Sequence, residues 1–324
     1  MNVEFHYYTT WFLAVKAGFS DSEAARLSWA SQYTDHHNRT LLIKRGGETL
    51  VSAPTQNYLF WEDSVIRDAY LPFHFFPSIE GHSSVRVDGR SSPRDVRPNS
   101  HGVKTLLVEA LKTRNLERIG IALHTFADSW AHQNFTAWPE DFNCLEAKGL
   151  PAPGHTQAGW QPDEWLTVWH DPRLKVPEIS NLNRFLECAG KIYRYLCIFR
   201  GKEFRDTEVR VLEELKGLVT AGSGRATVEQ RMLELVIECT MEPYDRDAPL
   251  RQAVELPERE PTTLPMLDQL RHVGKELWVK TGLAAPLEVR ARTGFRNTPF
   301  ASWLRAAEEQ RKLAQSLLEG YPGV

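Results

Sequence analysis

The chain has 324 residues, 42% of them hydrophobic and 25% charged, with a formal net charge of −3 from 39 Lys+Arg against 42 Asp+Glu. Those values are ordinary for a globular protein and exclude a disordered chain, a collagen-like chain and a small disulfide-stapled scaffold. They also argue against a protein that coats nucleic acid, which carries a basic excess.

No apolar run approaches the roughly 20 residues of a membrane-spanning helix. MNVEFHYYTTWF lacks the basic, apolar and small-residue zones of a secretory signal, so a cytoplasmic location is expected. The four cysteines, Cys144, Cys188, Cys197 and Cys239, form no CxxC pair. Ordinary reduced thiols are the simpler reading, and any metal would be held by histidine and carboxylate.

In chain order, the first predicted helix runs from about Val3 to Ala17 and stops at Gly18. Ser20 and Glu23 form a capping box ahead of a second helix ending near Asp35–Asn38. Between Arg39 and Ser100 the pattern breaks up, apart from a short hairpin turning at Gly46-Gly47. Helical pattern returns at Val103–Lys112 and from Leu116 to about Phe135. The proline- and tryptophan-rich stretch 136–180 reads as a long ordered loop. Helices are then predicted over 181–199, 207–220, 226–240 and 265–280. A polar connector covers 241–265, and a last helix opens at Thr298-Pro299 and closes at Gly320. The expectation is a mainly α, bundle-like single domain spanning 1–324. Its first 180 residues would carry any metal site, and 181–324 would add packing helices.

The strongest chemical signal is IALHTFADSWAHQNF. His124, Asp128 and His132 are spaced i, i+4, i+8, which keeps them within about 80° on one helix face. His124 and His132 are then about 12 Å apart along the axis, too far for one ion with bonds of about 2.1 Å. The spacing therefore suggests more than one ion, with Asp128 as the bridge. The alternative is a helix whose histidines are satisfied by ordinary partners.

His6 lies on the first helix. Asp35 shares a face of the second with the small residues Ala24, Ser28 and Ser31, which suits an inward carboxylate. His36 and His37, adjacent at a helix end, read as solvated. His74, in LPFHFFP, is either a core histidine or a ligand held by a rigid segment. His155, in a turn-rich stretch with Asp163 eight residues on, is a weak signal alone. Trp138, Trp160, Trp165 and Trp169 could wall a cleft or simply pack. No GxSxG, P-loop, dinucleotide-binding or HExxH pattern occurs.

The segments FHYYTTWFLAVKAGFS, ASQYTD, LPFHFFP, ALHTFADSWAHQNF and GHTQAGWQPD together resemble the zinc-dependent phospholipase C and single-strand nuclease superfamily, most closely an uncharacterised bacterial branch of it. They span residues 5 to 163 in that family's order. The resemblance implies an α-helical fold holding two to three Zn2+ ions on His6, Asp35, His74, His124, Asp128, His132, His155 and Asp163, with manganese or iron as substitutes. It implies that Asp35 is also the base for the attacking water. The family's last carboxylate stands four residues after its histidine, a position filled here by Gly159, so Asp163 takes that part. Secreted members also use the amino-terminal residue of the processed chain. Here, with His6 five residues after Met1, one ion is expected to be under-coordinated or absent. The implied activity is hydrolysis of a phosphate ester, whether a small phosphoester, a phospholipid or a nucleotide, by a metal-activated water. The alternatives are a non-catalytic, metal-stabilised helical module and a degenerate relative.

Overall fold

The computed structural model describes residues 1–57, 59, 62–80, 83–146, 149–221, 227–256 and 286–321. It is mainly helical. The predicted helix at 265–280 lies outside the described residues.

At the centre is α4 (Leu116–Ala131), preceded by α3 (His101–Thr113). Every α4 residue from Glu117 to Ala131 is buried. A helix apolar on most sides must be surrounded, and α4 packs against α2 (Asp21–His36), α3, α5 (Asn181–Arg200) and the C-terminal helix α9 (Pro299–Leu318). Its polar residues His124, Thr125, Asp128 and Ser129 are buried with it, and such groups need partners.

Helices α2 and α4 approach each other closely. A Cβ on Gly120 would lie 2.3 Å from the Leu27 carbonyl and 2.8 Å from Ala30 Cβ. Ala24, Ser28 and Ser31 are fully buried on the facing side of α2. Small residues on both helices thus bring Asp35 toward His124. The Ser20/Glu23 capping box starts α2 as expected.

Helix α1 (Thr10–Lys16) differs from the expected regular helix over 3–17, because Glu4–Thr9 before it is wound as a π-helix. A second π-helical stretch, Ile66–His74, runs through Pro72 in a region where no helix was expected. Proline cannot donate to the preceding turn, and wide turns of this kind recur at functional sites.

The Gly46-Gly47 hairpin is present, joining β1 (Leu41–Arg45) to β2 (Glu48–Ser52) with both glycines at positive φ. It belongs to a larger sheet than the sequence suggested. Its order is β2-β1-β6-β5, with β1 parallel to β6 (Leu287–Ala291), and β6 antiparallel to β5 (Val254–Glu255). The supposed polar connector therefore contains β5 and, before it, the short helix α8 (Ala248–Ala253). Helices α6 (Glu208–Thr220) and α7 (Val228–Cys239) stand near their predicted places.

The described part of 136–180, expected as a long loop, holds a hairpin, β3 (Val168–His170) with β4 (Glu178–Ser180). Arg86 and Arg173 both donate to the Phe142 carbonyl, and Asn143 donates to the carbonyls of Trp138 and Ala152. Trp165 and Trp169 are buried, and Trp165 stacks on Phe5 beside His6. Among the described residues no helix is long and apolar enough to cross a membrane, and the four cysteines are free.

Candidate metal centre

Five segments bring donors together. The π-helix at the N-terminus carries His6, the end of α2 carries Asp35, the π-helix 66–74 ends on His74, and α4 carries His124 and Asp128. His132 caps α4 at its C-terminus, where the helix ends four residues earlier than expected. The loop after it supplies His155 and Asp163. All eight residues singled out in the sequence fall into three donor sets, the first two sharing His124: His6, His124 and Asp128; Asp35, His74 and His124; and His132, His155 and Asp163.

Asp128 joins them. Its Oδ1 lies 3.0 Å from His6 Nε2, and its Oδ2 lies 3.2 Å from both His74 Nδ1 and His124 Nε2 and 3.7 Å from His132 Nδ1. In the second set, His74 Nδ1 and His124 Nε2 are 3.1 Å apart, and Asp35 Oδ1 is 3.7 and 3.6 Å from them. In the third, Asp163 lies 3.6 Å from His132 Nε2 and 3.5 Å from His155 Nε2. Four ligands at about 2.0–2.1 Å from a tetrahedral zinc are separated by about 3.3–3.4 Å. The donors therefore stand at spacings that fit divalent ions between them, and their chemistry, imidazole and carboxylate without thiolate, suits zinc, manganese or iron.

Three histidines are oriented by main-chain carbonyls. His74 Nε2 donates to Thr55 O (2.9 Å), His132 Nδ1 to His74 O (2.8 Å) and His155 Nδ1 to Gly159 O (2.9 Å). Each bond fixes which ring nitrogen carries the proton and leaves the other facing the donor set. Phe75 stacks on His132 at 4.2 Å between centroids and lies 6.2 Å from His155. Gly154, at φ +51°, allows this, since a Cβ there would meet the Phe75 ring at 2.4 Å.

One donor escaped the sequence reading. The α-amino group of Met1 is buried in the centre, 2.5 Å from Asp128 Oδ1 and 3.3 Å from Asp163 Oδ1. One ion was expected to be under-coordinated or absent, and this nitrogen stands beside the first set. No side-chain pattern encodes a main-chain amine, so residue types alone could not reveal it.

Burial opposes the charge on this amine, but Asp128, Asp163 and Asp35 outweigh it and push its pKa up to about 11. Burial, His124 and the amine hold His6 down to about 3. Burial would raise the Asp128 carboxyl, yet the amine and His132, His124 and His6 hold it well below the usual range. Asp35 is likewise lowered against burial, by His124, His6 and His74. His74 moves the other way, with burial outweighed by Asp128 and Asp35. These two carboxylates are thus kept ionised in and beside the core, which requires positive charge next to them.

The second and third sets border a cavity of about 380 Å³. Asp35, Gln56, Tyr70, Phe75 and Asp163 line it, and no lysine or arginine does among the described residues. None of the four tryptophans considered in the sequence lines it. Trp160 is 62% exposed and the others pack. His37, expected in solvent, is buried between Tyr33 and Ser52, and His36 contacts Tyr244.

Fold and site together define a mainly helical protein with a buried histidine–aspartate centre beside a small polar cavity. The chain belongs to DUF6765, a family of unknown function whose model matches residues 1–318. No curated protein and no solved structure matches it.

Proposed function

We propose that the protein is a metal-dependent hydrolase of phosphate esters, phosphodiesterase-like in the manner of the phospholipase C and zinc nuclease group. The observation that carries the reading is the junction at Asp128, whose oxygens face His6 of the first set and His74 and His124 of the second, beside a cavity that no lysine or arginine lines among the described residues. Bound divalent ions, zinc first, would supply the positive charge that a phosphate needs there and acidify a water.

The chain's own groups do the rest. Asp128 ties the first two sets together. The carbonyls of Thr55, His74 and Gly159 hold three imidazoles in place. Asp35, ionised, lines the cavity and accepts a bond from Gln32 at 3.3 Å. It is the base that takes the proton of the attacking water. The cavity volume sits at the small end of ligand sites, which suits a small phosphoester, a phospholipid head group or a single nucleotide.

The first set supports a different use. His6, His124 and Asp128 are all buried, and only Asp128 borders the cavity. Closed sites are structural and open ones catalytic, so an ion there would brace the centre. The test is turnover of bis-p-nitrophenyl phosphate. Chelator should abolish it, zinc should restore it, and Asp35→Asn should lower it by about 10²–10⁴-fold. Turnover indifferent to chelator contradicts the proposal.

A further inference from the structure

We infer that Gln310 and Arg311, on α9 and outside the cavity, are positioning residues for the Asp35/His74/His124 set. The inference rests on the metal reading above but concerns side chains far along the chain from every donor.

Gln310 is fully buried. Its amide Nε2 donates to Pro72 O at 3.1 Å and to Thr125 Oγ1 at 3.2 Å, and Thr125 Oγ1 in turn donates to Pro72 O at 3.3 Å. Pro72 is two residues before His74, and Thr125 directly follows His124. The amide cannot be turned round. Its oxygen accepts from Arg118, and a guanidinium has no acceptor to offer the other end. One side chain thus sets the spacing between the two segments that present His74 and His124.

Arg311 acts on the opposite end of the His74 ring. Its Nε donates to Asp68 O at 2.8 Å, on the π-helix of His74. Its Nη2 donates to Pro54 O at 3.1 Å and Ala53 O at 3.4 Å. The next residue, Thr55, supplies the carbonyl that accepts His74 Nε2–H, and is itself pinned by a bond from its hydroxyl to Thr34 O at 2.7 Å. Glu308 pairs with Nη1, and the guanidinium lies 5.4 Å from the centre of the Phe73 ring. One cation therefore links the two segments that carry the partners of the bond that turns His74 Nδ1 inward. Outer groups that orient a ligating histidine typically change metal affinity 10- to 100-fold when removed.

The experiment compares the full-length chain with Arg311→Met, Arg311→Lys and Gln310→Leu. Cobalt(II) titration is followed by its visible absorption, and the exchange protection of the His74 and His155 ring N–H protons is followed by NMR. The expected result is about a 10- to 100-fold weaker affinity for one cobalt equivalent in Arg311→Met and Gln310→Leu. His74 Nε2–H should lose protection in Arg311→Met while His155 Nδ1–H keeps it, and Arg311→Lys should recover part of both. Wild-type cobalt affinity with an unchanged His74 proton overturns the inference. So does equal weakening of every equivalent, which marks a general loosening of the fold. Should Arg311→Met fail to fold, Gln310→Leu and Arg311→Lys decide by the same readings. If the wild-type chain takes up no cobalt, the metal reading falls, and the His74 proton in the metal-free variants still decides whether α9 positions the ring.

Discussion

At the scale of single residues, Asp128 matters most, because its two oxygens face different donors. Asp128→Asn should release ions from two sets together, while Asp163→Asn should release one. Metal equivalents counted by elemental analysis check this, and loss of a single equivalent from Asp128→Asn contradicts the bridging role. His37 tests a different point. Burial, with Arg246, Arg311 and Arg39, holds it down to about 3, from an ordinary 6.5. Between those values the unfolded chain binds a proton that the folded chain refuses, so stability is complete above 6.5 and falls as the pH drops. From pH 6.5 to 5 the loss attributable to His37 is about 2 kcal/mol. Denaturant midpoints of the wild type and His37→Gln across that range should diverge, and parallel profiles contradict the assignment. The residue scale also shows what sequence reveals. The i, i+4, i+8 spacing marks His124, Asp128 and His132 because helix geometry alone brings them together. His6, Asp35, His74 and His155 come from separate segments, so their meeting was legible only through resemblance, although the small residues beside Asp35 already marked it as inward. The adjacent pair His36-His37 misleads, since a helix end is exposed only when nothing docks on it, and here the β1–β2 hairpin does.

At the scale of elements, the α2–α4 crossing sets how closely Asp35 approaches α4. Gly120→Ala places a methyl against a main-chain carbonyl that cannot turn aside. Overpacking of this kind costs about 1–3 kcal/mol, and urea unfolding should show it. An unchanged midpoint means that the helices separate without strain. The capping box of α2, the Gly-Gly turn and the Thr298 cap of α9 were all legible, because each is a local hydrogen-bond solution written in adjacent residues. The two π-helical stretches were not. Their sequences fit an α-helix or a loop equally well, and no local pattern marks the wide turn.

For the whole molecule, the sheet is the part that sequence concealed. Strand β1 pairs in parallel with β6 from the far end of the chain, and no local pattern announces a partner so distant. The same distance hides the hold of α9 on the donors. The last helix looks like packing, yet Gln310 and Arg311 reach the segments of His74 and His124. The described part of the chain's end thus reaches a centre whose donors all lie within residues 1–163. The account as a whole stands on cations gathered at these donors. Its most direct test is anomalous diffraction at the zinc absorption edge from crystals of the reconstituted protein. The prediction is two or three peaks clustered about Asp128, within the sets of His6, His74 and His155. A map with no peak among those eight side chains would contradict it and leave a helical protein with a polar core.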